Sequence, residues 1–123
     1  MIELSTLTGA VVIALGKKHA GLFSNSDRLA TCLTEAGKEV NEEMWRLPVD
    51  EYHHELIKSK HGDITNSPGK IDAASSQAAA FLEKFVEKDV EWIHLDIAGT
   101  SKNETEATGY GAKVLINYLR SMC

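Results

Sequence analysis

The stretch VEWIHLDI, residues 90–97, gives the strongest strand signal in the chain, because β-branched, aromatic and other apolar residues fill most of it. Two shorter apolar stretches, residues 1–6 and 20–23, also indicate strands. Segments with helical patterning separate and follow these three strands. This alternation of strands with helical segments predicts an α/β fold.

Helices are predicted where apolar residues recur at every third or fourth position, or where they follow turn and capping residues. In the second helix the apolar positions include Cys32 and Val40, and either Ser24 or Ser26 can form its N-cap. The fourth helix has the clearest pattern, and its first half is rich in alanine and serine, which favours close packing. The predicted helices cover residues 10–15, 29–40, 49–57, 71–86 and 110–119.

Three predicted strands are too few to cover this number of helices, because α/β sheets normally contain more strands. We therefore expect residues 1–123 to form part of a larger three-layer α/β/α domain with a mixed sheet. The other strands would come from another segment or another chain. The alternative is a complete small three-layer domain with an edge strand that the pattern does not reveal.

The composition is that of an ordinary globular domain, with 43% apolar and 25% charged residues. The net charge of −5 and the scattered lysines and arginines give no support for nucleic-acid binding. Cys32 and Cys123 are too few for a disulfide framework, and we interpret both as free thiols. No apolar run could span a bilayer and no signal-peptide pattern is found, so we expect a cytoplasmic location without membrane contact.

Histidines and acidic residues lie close together in several stretches, and one interpretation is a metal site. His94 and Asp96 are two positions apart on a predicted strand, so both point to the same face. The other interpretation is that these side chains act separately, since no HExxH or paired CxxC motif is present. The further candidate ligands are His19, His53, His54, His61 and Asp63.

Other catalytic motifs are incomplete. A nucleophile at Cys32, Ser75 or Ser76 would lack a GxSxG motif, and the two serines lie on a helix face of small residues that indicates close packing. Gly9 precedes a helix but lacks the neighbouring glycines and the lysine of a phosphate-binding loop. Gly109 and Gly111 are interpreted as packing residues at the start of the last helix.

The sequence STLTGA, residues 5–10, places threonine and glycine where the first predicted strand ends. A strand end of this kind exposes backbone N–H and C=O groups that no strand pairing uses, and glycine lets another backbone approach. The pattern alone favours a simple turn at the start of a helix. The alternative interpretation is that these exposed backbone groups bind a ligand.

Six stretches are informative when they are taken together in chain order: STLTGAVVIALG, AGLFSNSD, WRLPVDEYHHELIKSKHGDITN, AAAFLEKFV, WIHLDIAGT and EATGYGAKVLINYL. In this order they resemble the leucyl aminopeptidase (cytosol aminopeptidase) family. The resemblance extends over essentially the whole chain and identifies residues 1–123 as similar to the C-terminal portion of that family's catalytic domain.

The resemblance implies part of an enzyme that removes N-terminal residues such as leucine from peptides. In the family, the TLTG turn forms one wall of the active site and its backbone grips the substrate. The Leu7 carbonyl and the Gly9 amide would then hydrogen-bond the peptide substrate. Thr6, Gly9 and Ala98 would line the pocket for the N-terminal side chain of the peptide. Ser101 would help to close that pocket.

The resemblance also implies that His94 and Asp96 orient neighbouring loops and do not bind metal. The family's chemistry uses two divalent cations, Mn²⁺ or Zn²⁺, which polarise the peptide carbonyl and supply hydroxide. Their ligands lie in an upstream block with the motif NTDAEGR, and no DAEGR occurs in this sequence. We therefore expect neither metal ligands nor catalytic residues in this segment, which also lacks the family's N-terminal domain.

Two functions are compatible with these observations. The first is a segment that is inactive alone and works with the upstream half of the catalytic domain, in a homo-oligomer that is a hexamer in the family. The second is a non-catalytic assembly or binding module derived from that family. The two differ in whether peptide hydrolysis appears when the upstream half is supplied.

Overall fold

A computed structural model describes residues 1–69 and 71–122 of the chain, and Cys123 lies outside the described residues. The strands in this part of the chain are β1 (Ile2–Ser5), β2 (Ala20–Ser24), β3 (Met44–Arg46) and β4 (Ile93–Asp96). The helices are α1 (Gly9–Leu15), α2 (Asp27–Glu39), α3 (Glu51–Leu56), α4 (Ala74–Glu83) and α5 (Ala112–Ser121).

The four strands form one mixed sheet in the order β1-β4-β2-β3. Strand β4 lies inside the sheet, parallel to β1 and antiparallel to β2, and β3 is parallel to β2. Leu95 pairs with Leu4 on one side and with Leu22 on the other. The strand with the strongest sequence signal, β4, therefore pairs with a strand on each side.

Helices cover both faces of the sheet, which confirms the predicted α/β/α layering. Ile93 and Leu95 point to the face covered by α2 and α5, where they join the larger apolar cluster with Leu33 and Val114. Trp92 points to the opposite face, where a smaller cluster forms with Phe23 of β2 and Ala79 of α4. Alternation along β4 thus divides the core into two parts.

The structure corrects three details of the sequence prediction. Strand β3 was not predicted, because it has three residues and only Met44 among them is buried. It occupies one edge of the sheet, as the alternative with an unrecognised edge strand supposed. Helix α4 begins at Ala74 and not at Ile71, since Ala73 is left-handed with φ of 50° and interrupts the pattern. Cys32 is exposed on α2 and does not belong to its buried face.

The caps of the helices follow from short polar side chains. Ser26 forms the N-cap of α2, and its Oγ accepts a hydrogen bond from the Leu29 amide at 3.2 Å. Ser24, the other candidate, instead donates to the carbonyl of Trp92 at 2.6 Å and ties β2 to β4. The predicted cap at Ser26 is therefore confirmed.

A buried carboxylate caps α5 from another part of the chain. Glu42 is only 4% exposed, and its Oε2 accepts from the amides of Gly111 at 3.1 Å and Val114 at 2.9 Å. Gly111 has φ of 102°, and a Cβ there would lie 2.2 Å from Leu4 Cδ2. Glycine is therefore required where α5 starts beside β1, as the packing interpretation of Gly111 expected.

Replacing Glu42 by alanine should destabilise the fold, because two buried helix amides would lose a charged acceptor. Hydrogen bonds to charged groups contribute about 1.5–3 kcal/mol, so we expect Glu42→Ala to lower the free energy of unfolding by about 2 kcal/mol. Urea denaturation would measure this change. Glu35→Ala is the control, since Glu35 is an exposed side chain paired with Lys38, and a change there as large as that of Glu42→Ala would contradict the assignment.

Tyr110 also fixes the start of α5, and its hydroxyl donates to the Glu43 carbonyl at 2.6 Å. Burial, assisted by the charges of Glu42 and Glu43, raises the pKa of Tyr110 above its usual range. The neutral hydroxyl therefore stabilises the fold fully below the unfolded-state pKa of about 10. This contribution is lost as the pH rises through the folded-state pKa.

We expect the unfolding free energy to fall between about pH 9.5 and pH 11 more steeply in the original chain than in Tyr110→Phe. Chemical denaturation across this range would measure both slopes. Tyr52→Phe, at a side chain that is 58% exposed, is the control and should leave the slope unchanged. Equal slopes in the original chain and in Tyr110→Phe would show that Tyr110 is not the titrating group.

Candidate functional site

The loops that follow β1 and β4 lie at the end of the sheet where the carboxyl ends of these two strands meet, called the carboxyl edge below. These two strands are parallel neighbours, so their carboxyl ends meet, and the Ile97 amide donates to the Ser5 carbonyl at 2.9 Å. In open α/β sheets, ligands bind outside the carboxyl ends of strands. Residues 6–9 after β1 and residues 97–101 after β4 are therefore the candidate site.

The carboxylate of Asp96, which is 1% exposed, joins the two loops. Its Oδ1 accepts from the amide of Leu7 at 3.1 Å and from the amide of Ala98 at 3.2 Å. Its Oδ2 accepts from the amide of Thr8 at 3.0 Å and from the Thr8 hydroxyl at 2.7 Å. The hypothesis that Asp96 orients the neighbouring loops is thus confirmed.

His94 has a different environment. It is fully buried, and its ring stacks with Phe23 and Trp92 at centroid distances of 5.8 and 6.5 Å. Its Nδ1 lies 3.0 Å from Oε1 of Glu3, the same oxygen that accepts from Trp92 Nε1 at 3.3 Å. His94 therefore contacts the strand neighbour Glu3, and within the described residues its ring nitrogens form no hydrogen bond to the loops of the site.

Thr8 turns the chain from β1 into α1. It is the N-cap of the helix, and its hydroxyl accepts from the Val11 amide at 3.2 Å. Gly9, the first residue of α1, is exposed, and a Cβ added there would meet nothing within 4 Å. Since the first amides of a helix have no acceptor within it, the Gly9 N–H needs a hydrogen-bond partner from outside α1.

The five residues that the resemblance placed in the substrate pocket all fall on this edge. Thr6, Leu7 and Gly9 are exposed in the first loop, and Ala98 and Ser101 are half-buried in the second. The amides of Leu7 and Ala98 are held near each other, because both donate to the same oxygen of Asp96. The role of these residues in binding a peptide stays a prediction.

Ser101 lies in a tightly connected turn. Its amide donates to the Ile97 carbonyl at 2.9 Å, and its carbonyl accepts from the Thr108 amide at 3.0 Å. The Thr108 hydroxyl donates to the Thr100 carbonyl at 2.6 Å. The conformation of the loop after β4 is therefore fixed by hydrogen bonds within the loop.

A groove of about 330 Å³ lies between α1 and the start of α4. Ile13 and Ile71 line it and are 90% and 89% exposed. Ser75 lines it as well, and its Oγ lies 2.9 Å from the Thr8 hydroxyl. The small residues at the start of α4 thus allow the close packing that the sequence indicated. One of them, Ser75, also contacts the candidate site at Thr8.

The candidate metal ligands are not brought together. Within residues 1–69 and 71–122, no group of three or more histidine, cysteine, aspartate or glutamate side chains could hold an ion. Asp96 already accepts four hydrogen bonds. Four histidines instead approach one acidic side chain each: His19 with Glu43, His53 with Asp50, His54 with Glu83 and His94 with Glu3.

Comparison with known proteins shows the family to which the chain is similar. Residues 1–116 match the sequence profile of the cytosol aminopeptidase family, catalytic domain. A probable cytosol aminopeptidase of Rhizobium etli is 46% identical over 130 residues, which cover all of this chain and 26% of that protein. One from Rickettsia bellii is 43% identical, with 98% of this chain and 26% of that protein covered.

Solved structures agree with the sequence relatives. A mutant of tomato leucine aminopeptidase superposes with a TM-score of 0.92 at 39% identity, covering 96% of this chain and 24% of that chain. The bottromycin maturation enzyme BotP in complex with Mn gives a TM-score of 0.93 at 33% identity, covering 98% and 28%. The fold is thus that of the matching part of these structures.

The chain belongs to the cytosol aminopeptidase family. It spans about a quarter of the length of the curated relatives that it matches. Among the described helices, none is both long and apolar enough to cross a bilayer.

Gly99 allows the end of α1 to pack against the loop after β4, a contact that the sequence analysis did not predict. A Cβ at this position would lie 2.3 Å from the carbonyl oxygen of Gly16 and 3.5 Å from the Cα of Lys17. Both atoms belong to the backbone, which cannot rotate away as a side chain can. The close approach of the end of α1 to the loop after β4 therefore requires glycine at position 99.

Gly99→Ala should push the end of α1 away from the loop. Overpacking of this kind costs about 1–3 kcal/mol, and we expect a loss of unfolding free energy in that range. NMR should also show shifted amide signals at Leu7, Thr8 and Ala98. Gly9→Ala is the matched control, because its added methyl group meets open space and should leave stability within about 0.5 kcal/mol. Equal stability of the two variants would refute the packing argument.

Proposed function

We propose that this chain is the C-terminal part of the catalytic domain of a two-metal leucyl aminopeptidase and that it supplies walls of the peptide-binding pocket. One observation carries this proposal. The buried Asp96 carboxylate fixes the turn after β1 while the first residue of α1, Gly9, stays exposed at the carboxyl edge of the sheet.

The roles of the residues follow from what each can offer a peptide. The Leu7 carbonyl would accept from the backbone of the substrate and the Gly9 amide would donate to it. Thr6, Gly9 and Ala98 would line the pocket for the N-terminal side chain, and Ser101 would close it. Because Asp96 holds the turn before the peptide arrives, binding would require little ordering of the protein.

The two metal ions, Mn²⁺ or Zn²⁺, would be held by the upstream segment of the catalytic domain. The described residues provide no donor set that fits them. We therefore assign this chain binding and orientation of the peptide, and no step at the scissile bond. The chain alone would be inactive, and the complete enzyme would be a cytoplasmic hexamer.

The open edge of the sheet supports a partner segment. Strand β1 pairs with β4 on one side only within the described chain. An uncovered strand edge presents unpaired N–H and C=O groups, which proteins normally cover. In this proposal, a strand of the upstream segment pairs with β1 and brings the metal ligands to the carboxyl edge.

Reconstitution would test the proposal. The chain is mixed with the separately produced part of the Rhizobium etli relative that it does not cover, in the presence of Mn²⁺ or Zn²⁺. We expect hydrolysis of leucine p-nitroanilide by the mixture and none by either part alone. Addition of a chelator should abolish the activity.

A pair of variants makes this experiment specific. Gly9→Val would place a branched side chain beside the proposed peptide-binding amide, and we expect kcat/KM to fall at least about tenfold, or 1.4 kcal/mol. Gly62→Val is the control, because Gly62 also faces open space but lies in the loop between α3 and α4. Equal activity of both variants would contradict the assignment of Gly9.

The second candidate is an assembly or binding module. The open side of β1 and the exposed Ile13 and Ile71 support this candidate as much as they support the enzymatic proposal. Gel filtration of the mixture separates the two functions. A stable complex without peptide hydrolysis would overturn the enzymatic proposal and support an assembly module.

A further inference from the structure

We infer that Ser75 is a positioning residue for the peptide-binding turn and that it acts through the Thr8 hydroxyl on the loop held by Asp96. This inference rests on the proposed function for the role of the turn, but the hydrogen-bond relay itself does not. Ser75 belongs to α4, which carries none of the five proposed pocket residues.

The direction of the hydrogen bonds in this relay follows from the number of donors. The Thr8 hydroxyl donates its single hydrogen to Asp96 Oδ2 at 2.7 Å. The same oxygen accepts from the Val11 amide at 3.2 Å and lies 2.9 Å from Ser75 Oγ. Since Thr8 has no second hydrogen to give, Ser75 is the donor. The relay therefore runs from Ser75 through Thr8 to Asp96.

Burial makes this relay effective. Ser75 is 6% exposed and Asp96 is 1% exposed, so little water competes for these atoms. Donation by Ser75 polarises the Thr8 hydroxyl and strengthens its bond to the carboxylate. That carboxylate also holds the amides of Leu7 and Ala98. The position of α4 is thereby coupled to both loops of the site.

The position of Thr8 in the turn also predicts which kinetic constant a loss of the relay should change. Thr8 lies between Leu7 and Gly9, the two residues whose backbone groups would contact the peptide. A looser turn weakens contacts that exist in the bound substrate as well as in the transition state. Uniform weakening of this kind raises KM and leaves kcat nearly unchanged. A general loss of folded protein would instead lower the apparent kcat.

Amide hydrogen exchange of the chain, followed by NMR, tests the relay without peptide or metal. In Ser75→Ala we expect exchange at Leu7 and Thr8 to become about fivefold faster, with Leu95 unchanged. Ser76→Ala is the matched control, because Ser76 is the adjacent serine with the same 6% exposure. Unchanged exchange in Ser75→Ala, or an equal effect in Ser76→Ala, would overturn the inference.

A double-mutant cycle keeps the test valid if one variant also disturbs packing. Thr8→Val removes the hydroxyl and keeps the shape of the side chain. If the two hydroxyl groups act as one relay, Ser75→Ala should add less than about twofold to the exchange rate in the Thr8→Val background. Full additivity of the two effects would refute the relay.

Kinetics of the reconstituted enzyme test the role in catalysis. We expect Ser75→Ala to raise KM for a leucyl dipeptide about fivefold, with kcat within about twofold and Ser76→Ala unaffected. Unchanged KM in Ser75→Ala would overturn the positioning role. If the reconstituted original chain hydrolyses nothing while exchange behaves as expected, the proposed function fails and the coupling of Ser75 to the turn stands.

Discussion

The buried carboxylate of Asp96 is the interaction on which the candidate site depends. Two oxygens accept four hydrogen bonds from two loops, and every donor lies within two residues of Asp96 or in the turn after β1. A buried carboxylate without donors is costly, so these loops have few alternative conformations. Because Leu7 and Ala98 share one oxygen, a displacement of either loop disturbs the other.

The two faces of β4 contact different parts of the structure. One face carries Ile93 and Leu95 into an apolar core between the sheet and helices α2 and α5. The other face carries His94 and Asp96, with Trp92 just before the strand, toward β1, α1 and α4, and polar contacts become more frequent toward the carboxyl end. The larger apolar core and the candidate site thus lie on opposite sides of one four-residue strand, so substitutions on one face need not affect the other.

The sequence predicted what depends on local pattern. Residues 90–97 and the helices showed their apolar periodicity, and the class of fold followed from their order. Strand β3 is too short to show a pattern, and the left-handed conformation of Ala73 has no sequence signal of the kind that glycine gives. The cap of Glu42 on α5 and the contact of Ser75 with Thr8 join residues 67 or more positions apart. Contacts at that distance leave no trace in local periodicity, whereas family resemblance identified the edge on which the site lies.

The central place of β4 has a consequence for how the chain folds. Within the described residues, β1 pairs with β4 and β2 is joined to β1 through β4, so Ile2 and Ser24 both pair with Ile93. During synthesis, β1 and β2 leave the ribosome well before β4. Pairing over such long separations requires closure of long loops, which makes folding slow. The apolar residues of β1 and β2 therefore stay without their shared partner until β4 has been synthesised, and unpaired apolar strands are prone to aggregation.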